Sequence, residues 1–181
     1  MAPLIGVNNK PDVGAVMRVY VPATLATLQL LVAEGALWPA GGTAFAVTPT
    51  LRETYASGDE EELAEVALRE AALASLRLLA ADTDQKMPPR RAVLVADVND
   101  VTCRPDLDDA VVKLGEPVSL DHVVAVFVDN AAAEPAVTAA MAVIDAADLG
   151  DEDAELVVGD AQDYDLAWYA TQELPFLLEL L

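Results

Sequence analysis

Extended apolar runs that each end on a helix-capping residue recur along this chain, and they restrict it to folds that layer helices on a sheet. Residues 17–25, MRVYVPATL, set the pattern. Val19 and Val21 alternate with Arg18 and Tyr20, Pro22 ends the ladder, and the Thr24 hydroxyl suits the free amides of a first helical turn. Leu25, Leu28, Leu31 and Val32 then follow at helical spacing until Gly35 supplies a stop. The arrangement returns with a strand at 44–47 before Thr48 and Pro49, with a strand at 122–128 before Asp129 and Asn130, and with a strand at 166–169 before Thr171. Residues 91–98, RAVLVADV, read as a central strand and residues 110–114 as a short one. Ser57-Gly58-Asp59-Glu60 predicts a capping box for a long helix reaching about Ala81. That helix is apolar around most of its circumference, with Glu61, Glu62, Glu65 and Arg69 as its wet stripe, so it belongs between layers or against a partner.

The alternation predicts one α/β or α+β layer domain over residues 17–181, a mixed sheet of about five to seven strands with helices packed on it. Residues 1–16 read as a flexible leader, an upstream extension or an expression remnant ahead of Met17, without the basic and apolar regions of a secretory signal. Apolar residues make up 54% of the 181, which supplies a core and excludes wholesale disorder. Against 10 Lys and Arg stand 31 Asp and Glu, a formal net charge of −21. This excludes nucleic-acid binding through a basic surface and a polybasic membrane anchor. No apolar run approaches the roughly 20 residues that span a bilayer, and the expected location is the cytoplasm. Cys103 and His122 are the only residues of their kinds, so neither an intramolecular disulfide nor a Cys/His metal site can form. No cofactor is expected.

The segments MRVYVPATLATL from Met17, AVTPTLRETYASGDEEELAEVAL from Ala46 and DLAWYATQELPFLL from Asp165 resemble an uncharacterised actinobacterial family whose members begin MRVYVPAT-like. The resemblance runs from Met17 to the C-terminus. It implies an actinobacterial cytosolic protein, and it transfers no catalytic residues, because no activity is established for the family.

Phosphate-loop, dinucleotide, nucleophile-elbow and zinc-protease motifs are all missing from the sequence. His122 lacks an orienting partner, and a structural or surface role suits it. Cys103 stands beside Arg104, a neighbour that lowers a thiol pKa when the two are in contact. Asp97, Asp100 and Asp129 are candidate ligands, since they end two strong strands. If those strands were parallel neighbours, the carboxylates would converge on Mg²⁺; otherwise they make turns and caps. Residues 145–165 hold nine acids and no Lys or Arg. Asp148, Asp151, Glu152, Asp153, Glu155, Asp160 and Asp163 are the candidate surface for a basic protein partner, with a plain solvated face as the alternative. The leading functional expectation is a non-enzymatic protein acting through protein–protein contact with such a partner. A Mg²⁺-dependent or small-molecule enzyme using the strand-end acids is one alternative, and an acidic mimic of nucleic acid is another. A homo-oligomer is compatible with all three.

Overall fold

The computed structural model describes residues 15–181, so most of the expected leader lies outside the described residues. In chain order the elements are β1 (Met17–Ala23), α1 (Leu25–Glu34), β2 (Ala36–Leu37), β3 (Thr43–Phe45), α2 (Pro49–Thr54) and α3 (Glu60–Ala81). There follow β4 (Ala92–Val98), β5 (Val101–Cys103), β6 (Val111–Leu114), β7 (Val118–Ser119) and β8 (Val123–Val128). The chain ends with α4 (Glu134–Asp148), α5 (Glu152–Gln162), β9 (Ala167–Tyr169) and α6 (Leu174–Glu179).

The Thr24 and Thr48 caps form as their positions predict, whereas the Thr171 hydroxyl caps no helix and donates to the Val123 carbonyl at 2.9 Å. Thr24 Oγ1 accepts from the Thr27 amide at 3.2 Å, Thr27 Oγ1 accepts from the Thr24 amide at 2.8 Å, and Gly35 closes α1 at φ 80°. Thr48 Oγ1 accepts from the Leu51 amide at 3.1 Å and donates to the Asp109 carbonyl. Two further junctions differ from the sequence expectation. The N-cap of α3 is Asp59, whose carboxylate accepts from the Glu62 amide at 2.8 Å. Ser57 and Gly58 are still held in the turn that closes α2, where the Gly58 amide donates to the Tyr55 carbonyl at 2.8 Å. Asp129 caps no helix, since α4 starts only at Glu134 and the carboxylate is engaged elsewhere.

Seven strands form one sheet in the order β5-β6-β3-β1-β4-β8-β9, and β2 pairs with β7 separately. Helices and sheet are layered as expected, but every pairing in the sheet is antiparallel, where the sequence predicts a mixed sheet. The connections explain this. Helix α3 carries the chain back along the sheet, so β3 and β4 run the same way, but β1 lies between them and opposes both. Helices α4 and α5 form an out-and-back pair, so the chain re-enters at the end where β8 finished and β9 must run against it.

Strand alternation divides the sheet into two apolar faces. Val19, Val21, Leu94, Ala96, Val126 and Val128 meet Leu25, Leu28 and Leu31 of α1 and Leu174 and Leu177 of α6. Tyr20, Phe45, Val93, Val95 and Ala125 meet Leu51 of α2 and Leu63, Ala67 and Ala71 of α3. Beyond Ser75, α3 turns Leu76 and Leu79 to Val137, Ala140 and Ile144 of α4 and Val158 and Ala161 of α5. Its wide apolar circumference is thereby accounted for, with sheet on one side and a second helical layer on the other. Ser75 locks the register of that packing, since its buried hydroxyl donates to the Ala23 carbonyl at 2.6 Å and accepts from the Ala92 amide at 3.0 Å.

At the same end of the sheet, Arg91 precedes β4 and Asp129 follows β8. Their side chains are 3% and 0% exposed. The Arg91 guanidinium donates from Nε to Asp129 Oδ2 and from Nη2 to Oδ1, both at 2.8 Å, while the Arg91 amide also donates to Oδ2 at 2.8 Å. Nη2 donates further to the Tyr164 carbonyl at 2.9 Å, which ties the α5–β9 connection to the clamp. Removing one member leaves a buried charge without its partner. Asp129→Ala is therefore expected to cost about 3–5 kcal/mol in urea denaturation. Replacing both members, as Arg91→Met with Asp129→Leu, is expected to cost clearly less than Asp129→Ala alone. Equal losses would contradict the desolvation account.

Candidate functional site

Helix α3 covers β3, β1 and β4, and α4 and α5 cover the second half of α3. The first half of α3 is left beside an open stretch of β8 and β9. The result is a groove of about 540 Å³ lined by Arg18, Tyr20, Glu61, Ala64, Glu65, Leu68, Val95, Val124, Ala125, Phe127 and Trp168. Strand parity puts its floor residues on one face. Phe127 faces Trp168 across the β8–β9 ladder, and Tyr20 faces Val95 across β1–β4. Val124 is the extra residue of a bulge, since Val95 pairs with Ala125 and Ala96 with Val123, and the bulge turns it outward to 39% exposure. Trp168 is 58% exposed on a strand that otherwise sends Tyr169 toward the α1–α6 side.

The groove carries charge at its edges. Arg18 and Asp97 are cross-strand partners, with Nε to Oδ1 at 2.9 Å and Nη2 to Oδ2 at 3.1 Å. The guanidinium hydrogen bonds hold the Asp97 carboxyl below the usual carboxylate range, and the same bonds raise Arg18. Burial raises the Tyr20 phenol, partly offset by nearby Arg18. Glu61 and Glu65 stand exposed on the α3 wall, Glu65 touching Arg69 at 3.3 Å. With Arg18 paired to Asp97 and Glu65 to Arg69, Glu61 is the lining charge without an ion-pair partner among the described residues.

The three strand-end acids do not meet. Because β4 and β8 are antiparallel neighbours, the C-terminal end of one lies beside the N-terminal end of the other. Asp97 and Asp129 are then separated by about six strand steps, roughly 20 Å. The convergence on Mg²⁺ required parallel neighbours and is not formed. Asp129 is committed to Arg91 and Asp97 to Arg18. Asp100 sits at φ 55° in the turn after β4, its carbonyl accepting from the Gly115 amide at 2.9 Å. A Cβ at Gly115 would come within 2.0 Å of the Asp100 carboxylate, so glycine leaves room for it. Among the described residues no group of three or more His, Cys, Asp or Glu side chains is placed to hold a metal ion.

The acidic stretch is mostly helix. Asp148 ends α4 in a two-bond pair with Arg77 of α3 at 3.0 and 2.9 Å. Asp151 caps α5, accepting from the Ala154 amide at 2.9 Å. Glu152, Asp153 and Glu155 occupy the first turn of α5, where the helix dipole favours anions. Asp160 and Asp163 are exposed at the opposite end, without a cationic partner among the described residues. The neighbour expected to activate Cys103 is otherwise engaged, for Arg104 binds Asp106 at 2.9 and 2.8 Å. Burial instead pushes the thiol pKa upward. His122 is exposed in the 3-10 turn ahead of β8.

Arg18, Tyr20, Glu61 and Glu65 were not singled out as site residues by sequence reasoning. Parity alone places Arg18 with Tyr20 and Val95 with Asp97, but nothing local shows that β1 lies beside β4.

Residues 17–178 match the sequence profile described as Family of unknown function (DUF6912). No curated protein and no solved structure matches the chain.

The Arg18–Asp97 pair gives the groove a pH signature. A lowered carboxyl stabilises the fold above its unfolded value, near pH 4. That contribution is lost as the pH falls through the lowered folded value. Asp97→Asn is expected to remove less than about 1 kcal/mol at neutral pH, because the pair is largely exposed. The deficit relative to wild type should close below about pH 4 in acid titrations followed by circular dichroism. A deficit that stays constant with pH would show that the pair contributes through packing alone.

Proposed function

The chain belongs to that family, which brings no activity with it, and we propose from the groove that this protein is a non-enzymatic interaction module receiving a basic, partly apolar segment of a protein partner. One observation carries the reading: the Phe127–Trp168 row, open to solvent, lies under an acidic wall at Glu61 and Glu65. Exposing an indole to 58% forfeits burial that its surface would otherwise gain, and tryptophan is the side chain most enriched where partners bind tightly. A segment with apolar side chains on Val124, Phe127 and Trp168, and lysine or arginine toward Glu61 and Glu65, would satisfy both parts of the groove. Arginine or lysine over the indole face gains a cation–π contact as well.

The net charge of −21 supports the same partner chemistry. Helix α5, with Glu152, Asp153, Glu155, Asp160 and Asp163, leads directly through the loop after Gln162 into β9 and Trp168. Its field steers a cationic partner toward the groove and repels anionic competitors. The surface expected from the acidic stretch thus acts at long range, and the groove makes the contacts.

The test is an array of short peptides in which lysine or arginine alternates with valine, leucine or phenylalanine, with glutamate-for-lysine controls. Affinities are then measured by fluorescence polarisation. Trp168→Ala is expected to weaken the best binders by roughly 30-fold or more, the loss typical of a central interface tryptophan. Glu61→Lys with Glu65→Lys should weaken them further and reduce the salt dependence. Binding of lysine and glutamate peptides alike, or binding indifferent to Trp168, would overturn the proposal.

A further inference from the structure

Resting on that reading, we infer that the partner segment binds as an eighth strand, adding to the free edge of β9. Strand β9 is the last in the sheet order and pairs with β8 alone, through Ala167, Trp168 and Tyr169. In an antiparallel ladder, alternate backbone amides and carbonyls of the outer strand point away from its neighbour. Among the described residues, no hydrogen bond outside the β8 ladder engages the backbone of these three residues. Edges of this kind are blunted by shortness, charged side chains, proline or a covering element. β9 is short and flanked by carboxylates, which repel anionic strands, but it carries no lysine or proline of its own. Its three residues are Ala, Trp and Tyr, and residues 114–181 contain no Lys or Arg at all.

The surroundings select a cationic strand. Asp163 and Asp165 precede β9 and Glu173 follows it, all three exposed, so both ends of an added strand would lie near carboxylates. An added strand runs about 4.8 Å beyond β9. From there, the side chains on the groove face extend the Phe127–Trp168 row. A lysine or arginine among them would lie over the indole on the groove side. A second copy of this chain is a poor occupant for β9, because two such edges would bring Asp163, Asp165 and Glu173 against one another.

The measurement uses the tightest lysine-alternating peptide from the array, N-methylated at alternate residues in two complementary series. Methylation removes the amide proton and leaves the side chains unchanged. One series, with methyl groups on the amides that face β9, is expected to lose roughly tenfold or more in affinity. The other, with methyl groups facing solvent, should bind within about twofold of the parent. Equal tolerance of both series, with Trp168→Ala still weakening the parent peptide, would overturn strand addition while leaving the groove reading intact. Failure of every lysine-alternating peptide to bind would overturn both. Concentration-dependent dimerisation of the wild-type protein that Trp168→Ala abolishes would assign the edge to a second copy and overturn the inference.

Discussion

The buried pair of Arg91 and Asp129 is the interaction on which the rest of the arrangement hangs. It joins the residue before β4 to the residue after β8, and by accepting from Arg91, the Tyr164 carbonyl fixes the chain just before β9. Desolvating both charges consumes most of their attraction, so the pair adds little net stability over an apolar substitute. What it adds is discrimination. Any slip of β4 against β8 would leave a guanidinium or a carboxylate buried without a partner, a far larger penalty than the pair's own net worth. Register along the centre of the sheet is thereby fixed, and with it the facing of Phe127 and Trp168.

The groove follows from how helices are shared out over one face of that sheet. Helix α3 spans β3, β1 and β4, held in its second half by Ser75 between the Ala23 carbonyl and the Ala92 amide. Helices α4 and α5 pack on α3 beyond that point and do not extend over the first half of it. The lower part of β8 and β9 is left without a layer above it. Bulging of Val124 adds to the exposed apolar surface. The acids are distributed by a similar economy. Asp59 and Asp151 cap helices, Asp148 and Asp97 hold arginines, and Asp129 is buried in the clamp. These acids are structural, and among those without a cationic partner are several along α5 and around β9.

Local features were legible from the residues themselves. The Thr24 and Thr48 caps, the stop at Gly35, the long buried helix and the main strands depend on contacts within a few positions, where side-chain size and hydrogen-bonding capacity decide the outcome. Errors arose where one signal competed with another, adjacent or distant. Ser57 has the chemistry of a cap but is held in the preceding turn. Asp129 has it too, yet Arg91, 38 positions earlier, takes the carboxylate. Arg104 adjoins Cys103 in sequence and bonds Asp106 instead. Within the 145–165 acidic stretch, Asp151, Glu152, Asp153 and Glu155 lie at the N-terminus of α5, where a helix favours anions.

By itself, the sequence determined the main strands and helices, the faces they would bury and the sign of the chain's own charge, because these depend on composition and on spacing along the chain. Strand order and direction were decided only in the tertiary structure, since nothing within a strand states which strand lies beside it. That choice separated Asp97 from Asp129 by the length of β4 and brought Arg18 to Asp97. It also set Trp168 across from Phe127 at an open edge. Antiparallel pairing of β4 with β8 removed the candidate metal site, and the return of β9 through the paired helices α4 and α5 set the open edge of the groove.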